Sequence, residues 1–201
     1  MVLSCSRPRP VLLNVVVLTL AGLCAGADPA SQTVFRPADP QNQVAFGRLY
    51  NLDYDAAVQE FEKVLARHPN DPYAVNHLLS AVLVRELYRI GAMNTGEYSN
   101  DSFVGQVHRP PDPAQTARIK RLVQRAQKLE EAELSRNAND VDALYARGVT
   151  RAQFAAYTGL IERAWFSSLR NAVGARTTMN ACSRCLPRIR TPSWWLGRTT
   201  T

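Results

Sequence analysis

The sequence predicts an all-α protein built from antiparallel helix pairs stacked side by side. Three observations carry that expectation. Apolar residues between 54 and 65 recur at three- and four-residue intervals, the spacing of one helix face. The pattern stops at His68-Pro69-Asn70-Asp71-Pro72, where proline cannot continue a helix and Asn-Asp-Pro supplies turn chemistry and a new first-turn proline. Finally, LARHPNDPYAV (65–75) lies without a gap over LSRNANDVDAL (134–144), 69 residues downstream.

Taken in order, Gln43 to Asn51 reads as a first short helix, with Val44, Phe46, Leu49 and Tyr50 mostly on one side. Asp53 or Asp55 is placed to cap the next, because a short carboxylate satisfies the free N–H groups of a first turn. That helix carries Tyr54, Ala57, Val58, Phe61, Val64 and Leu65 on its apolar face. A third spans Tyr73 to Ile90, apolar at Val75, Leu78, Leu79, Val82, Leu83 and Leu87. Residues 91–113, rich in Gly, Asn, Asp, Ser and Pro, read as a loop insertion, whose Tyr98, Phe103 and His108 either contact a partner or fold back on the helices. A long helix follows from Pro113 to about Arg136, then one from Val141 to Tyr157 and a last from Leu160 to Val173. Short connections between such helices favour antiparallel neighbours.

The two ends differ from this middle. MVLSCSRPRP followed by VLLNVVVLTLAGL and Ala25-Gly26-Ala27 has the charged start, short apolar run and small residues of a signal peptide over 1–27, cleaved before Asp28. The run is shorter than the roughly 20 residues of a membrane span. Export, periplasmic or secreted, is expected, with an uncleaved anchor as the alternative and lipidation of Cys24 disfavoured by the bulky Leu23. Residues 28–42 read as an extended linker. Of the 24 Lys and Arg residues, Arg7, Arg9, Arg184, Arg188, Arg190 and Arg198 lie outside Asp28–Arg176, which leaves 18 against all 17 acids. The net charge of +7 therefore belongs to the termini, and the middle gives no electrostatic case for nucleic acid.

Asp53-Tyr54-Asp55, Ala57, Phe61, Val64 and Pro69 stand at the spacing of a tetratricopeptide repeat, with Leu52 in place of the usual glycine; the chain resembles that family over about residues 43–172. In the second copy Ala126 matches, Gly148 supplies the small crossing residue of the following helix, Ala138 replaces the proline and Glu130 stands in the place of the aromatic. The offset of 69 is close to twice the family's 34-residue period, so a degenerate repeat is expected between the copies. The resemblance implies an α-solenoid of helix pairs at 43–90 and 114–176, of exported bacterial type. It also implies a concave surface for an extended peptide or partner helix, with candidate lining residues Asn76, His77, Ser80, Leu83, Tyr145, Val149 and Gln153.

After Arg176 periodicity stops, acids vanish, and Cys, Trp, Arg and Thr crowd together. Cys182 and Cys185 form a CxxC pair without a second pair or a suitably spaced histidine. Allowed codons for 177–201, moved one step backward in frame, read as another helix, stop and helix. The expectation is a frameshifted, truncated family member whose 177–201 tail is irregular and unpacked. His68, His77 and His108 are scattered, and no Ser/His/Asp spacing, HExxH, phosphate loop or GxGxxG occurs. Glu130, Glu131 and Glu133 read as a solvated charged face. The sequence thus points away from an enzyme and calls for no cofactor or metal. It favours a binding scaffold for a protein or peptide outside the cytoplasm. The alternative is a truncated accessory domain whose activity lies in missing C-terminal repeats.

Overall fold

The computed structural model describes residues 35–93 and 109–185. Six α-helices follow one another: α1 Gln41–Tyr50, α2 Tyr54–Arg67, α3 Pro72–Ile90, α4 Pro113–Arg136, α5 Val141–Ala156 and α6 Trp165–Cys185, with a π-helical turn, Tyr157–Ile161, between the last two. No strand occurs among the described residues. The helices stack as pairs, α1 on α2, α3 on α4 and α5 on α6; α2 also packs on α3, α4 on α5, and α3 on α5.

The helix starts are written in the sequence. Asp71 caps α3 through its carboxylate, which accepts from the Tyr73 N–H at 2.7 Å, and Pro72 occupies the first turn. Asp112 and Pro113 repeat the arrangement at α4, where Asp112 accepts from Ala114 N–H at 2.8 Å. Asp140 caps α5 by accepting from Ala143 N–H at 3.0 Å. Asp53 sits at the cap of α2 but makes no side-chain capping bond; its carboxylate turns instead to Arg48 at 3.3 Å. Gly91, at a φ of 84°, takes the left-handed conformation that ends α3.

The 69-residue repeat is structural as well as textual. Asp71 and Asp140 are both caps. Ala57 and Ala126 have no exposed surface, nor do Ala74 and Ala143, so the helices approach closely at the same places in both copies. Phe61 fills the first junction from α2, against Phe46 at 4.9 Å edge-on; full burial of such a ring contributes about 1.5–3 kcal/mol.

Four expectations are corrected. Among the described residues no further helix pair separates the two copies: α3 and α4 pack directly on each other. The base of the 91–112 connection is pinned by buried Glu86, which accepts from Arg89 and from the Asp112 N–H at 2.8 Å; Tyr98, Phe103 and His108 lie outside the described residues. The end of the 28–42 segment, read as an extended linker, is fixed on the helices. Pro37 is buried, Phe35 stacks on Phe46 at 4.5 Å, and Asp39 receives both Arg67 nitrogens at 2.8 and 2.9 Å. The final helix does not stop near Val173. It runs to Cys185, with Thr178 and Cys182 buried against α5, so the irregular tail expected from 177 is helical as far as 185. Small and hydroxyl-bearing residues there pack without the apolar period that marks the other helices. Lastly, Glu130 is not part of a solvated face; it is fully buried.

Candidate functional site

The candidate residues lie on α3 and α5, and the structure brings most of them to one junction. Asn76 is buried: its Nδ2 donates to the Ala146 carbonyl on α5 at 3.0 Å. Gln153 Nε2 donates to Ser80 Oγ at 2.7 Å, and Ser80 donates to the Asn76 carbonyl at 3.0 Å. Asn76, Ser80 and Gln153 therefore spend their hydrogen bonds joining α3 to α5. Leu83 is buried in the core beneath them. Asn76 and Leu83 thus take no part in an open lining: α5 covers Asn76, and Leu83 lies in the core. Val149 is half-buried, and Tyr145 is exposed, its ring stacked on Tyr73 at 6.1 Å.

His77 belongs to an aromatic cluster and is half-buried. Its ring meets Phe46 edge-on at 4.9 Å and Phe61 at 5.7 Å. Nδ1 lies 3.2 Å from Asn42 Oδ1, and Asn42 Nδ2 donates to the Pro37 carbonyl at 2.8 Å. Burial pushes the imidazole down to about 4, so it is neutral at physiological pH, with Nδ1–H donating to Asn42.

Beneath this surface a polar chain crosses three helices. Thr150 Oγ1 touches Glu130 Oε1, Asn76 Oδ1 (2.8 Å) and the Ala146 carbonyl (3.1 Å). A hydroxyl has one proton, so with Glu130 ionised three acceptors would compete for it. A protonated Glu130 would ease the conflict by donating to Thr150, leaving the hydroxyl proton to Asn76 and the Ala146 carbonyl. Burial pushes Glu130 upward in the same direction, against the opposing Thr150 hydrogen bond and the fields of Arg147 and Arg151. Its second oxygen, Oε2, is buried without a hydrogen-bond partner.

At the N-terminal ends of α3 and α5 lies a cleft of about 520 Å³ lined by Arg36, Asp71, Tyr73, Glu133, Asp140 and Asp142. Arg36 pairs with Asp142, and Tyr73 Oη donates to the Asp142 carbonyl at 3.1 Å. Burial, with Asp140 and Asp71 close by, pushes Glu133 up. The sequence reading missed this cleft, although its signal was present: Asp71 and Asp140 precede two helices at the same offset. Glu130 had a signal too, its place under Phe61 in the gapless alignment.

Cys182 is buried and its thiol donates to the Val141 carbonyl at 3.6 Å. Among the described residues no helix is long and apolar enough to cross a membrane. No family model, curated protein or solved structure matches the chain.

Proposed function

We propose that the chain is a protein- or peptide-binding scaffold of the tetratricopeptide type, acting outside the cytoplasm. The observation that carries this reading is the equivalence of α2–α3 and α4–α5, with their paired caps Asp71 and Asp140 and their shared close approaches at Ala57/Ala126 and Ala74/Ala143. A helix pair repeated in this way extends a surface without building an enclosed reaction chamber. In this reading α1, α3 and α5 are the first helices of three pairs and face the ligand. Tyr145, Val149 and the accessible edges of His77, Ser80 and Gln153 form the lining, while Asn76 and Leu83 hold it from below. Aromatic rings with few degrees of freedom, such as the stacked Tyr73 and Tyr145, suit contact with an extended peptide. The leader at 1–27 supports the location outside the cytoplasm.

The test is a selection of displayed random peptides against the mature chain. Selected peptides are expected to lose at least about tenfold in affinity on Tyr145→Ser or Val149→Asp, in the range of a side chain that anchors an interface. Peptides that bind both variants like the parent, or a selection that yields none, would remove the concave-face reading. Location is tested separately by the mass of the protein recovered from the periplasm or medium: a chain beginning at Asp28 is expected, and one retained in the cytoplasm beginning at Met1 overturns it.

A further inference from the structure

The outer face of α6 carries an apolar stripe that nothing among the described residues covers. Phe166 is 90% exposed, Leu169 64%, Val173 57% and Trp165 46%. Positions 165, 169 and 173, with 166 beside them, share one side of the helix. The opposite side, at Ala175, Thr178 and Cys182, is buried and packs on α5. A row of large apolar side chains along more than two turns is far more than the scattered exposure ordinary for a surface.

The fold and the charges say what fits there. α2 is covered by α1 and then by α3, and α4 by α3 and then by α5; α6 packs on α5 and the π-helical turn. In both earlier cases the second cover is an α-helix. Charge selects among helices. From Arg163 to Cys185 the chain contains no acid, and Arg170 and Arg176 are exposed beside the stripe. The exposed helix of a second copy is a poor match, because α1, Gln41–Tyr50, carries Arg48 and no acid.

We propose that the α6 outer face is a docking site for an amphipathic helix of another protein, apolar along one side and acidic at its flanks. Phe166, Leu169 and Val173 take its apolar residues, with Trp165 at the N-terminal edge, and Arg170 and Arg176 pair with its carboxylates at the rim. This surface is separate from the α1/α3/α5 face and does not depend on the peptide-binding reading.

The experiment uses the full chain and two synthetic helical peptides that share leucines at i, i+3 and i+7 and differ only in flanking Glu or flanking Lys. Fluorescence anisotropy should show the Glu peptide binding at least about tenfold more tightly than the Lys peptide at low salt, with the difference shrinking as salt rises. Arg170→Glu with Arg176→Glu should abolish or reverse that preference. Phe166→Asp with Leu169→Asp should weaken the Glu peptide by at least about tenfold; because both positions are exposed, these variants should keep the parent's melting temperature. Equal binding of the two peptides, or binding untouched by either double variant, overturns the proposal. So does concentration-dependent self-association that Phe166→Asp abolishes in analytical ultracentrifugation, which would make a second copy the occupant. Selection of a concave-face peptide leaves this result unchanged, so the two readings fail independently.

Discussion

Glu130 on α4 occupies the place that Phe61 occupies on α2, and both have no exposed surface. Where Phe61 closes its junction by ring contacts, Glu130 closes the next by a hydrogen-bond chain through Thr150 to Asn76. Because burial raises Glu130 above its ordinary value, the folded state holds its proton to higher pH than the unfolded chain does. The stability it contributes is complete below the unfolded value of about 4.3 and is lost as pH rises through the folded value. Denaturant titrations of the parent and of Glu130→Gln, which keeps the shape and removes the ionisation, should therefore diverge with pH. The parent's advantage should fall as pH rises, by at most about 1.4 kcal/mol per pH unit. A difference that is flat from acid to neutral pH would show that Glu130 does not titrate on unfolding.

His77 works in the opposite sense. Its folded value is pushed down to about 4 by burial, below the ordinary 6.5. The stability it contributes is complete above 6.5 and is lost as pH falls from 6.5 toward 4, because the unfolded chain takes up the proton first. His77→Phe, which suits the edge-on contacts with Phe46 and Phe61, should flatten the acid limb of the stability profile in that window. An unaltered acid limb in this variant would place the imidazole in water.

Leu52 has a φ of 64°, in the left-handed region that a side chain rarely adopts, and it is exposed. This is the position at which the tetratricopeptide pattern has glycine. The left-handed conformation costs a non-glycine residue about 1–2 kcal/mol, while glycine adds about 0.5–1 kcal/mol of unfolded-state entropy. With little buried surface to lose, Leu52→Gly should gain about 0.5–1 kcal/mol, read as a higher urea midpoint. A lower midpoint would mean that Leu52 is held by packing.

What was legible follows from how each element is stabilised. α2 to α5 have starts marked by Asp and Pro and apolar faces of full period, and their extents were readable within a residue or two at most ends. Asn76 and Leu83 were placed on the right helix but in an open lining. Periodicity identifies a face without saying whether a neighbour 70 residues away covers it, and at Asn76 Ala146 and Gln153 do. Glu130 was obscure because a carboxyl in a run of charges looks solvated until its junction is assembled. The cleft at Asp71 and Asp142 was obscure because Arg36 reaches it from a segment that reads as a linker.

The end of α6 supplies the last prediction. Composition after Arg176 favours an unpacked tail, and by that reading its removal is harmless. In the structure Thr178 and Cys182 are buried, and Met179 seats on the bare backbone of Gly148, where an added Cβ would lie 2.7 Å from its terminal methyl carbon. Arg151 on α5 also donates to Thr178 Oγ1 at 2.7 Å and to the Gly174 carbonyl at 3.2 Å. Truncation after Arg176 removes all of these supports except the Arg151–Gly174 bond, together with the final turns of the helix. It should destabilise the chain by about 2–4 kcal/mol, the scale of losing one or two buried side chains. Cys182→Asp, which keeps the length and puts a charge on the buried side, should lower the urea midpoint comparably, whereas Thr177→Ala on the exposed side should change it by no more than about 0.5 kcal/mol. If truncation and Cys182→Asp both leave the midpoint unmoved, α6 is unpacked beyond Arg176 in solution, and the out-of-frame origin of residues 177–201 becomes the better account of their composition.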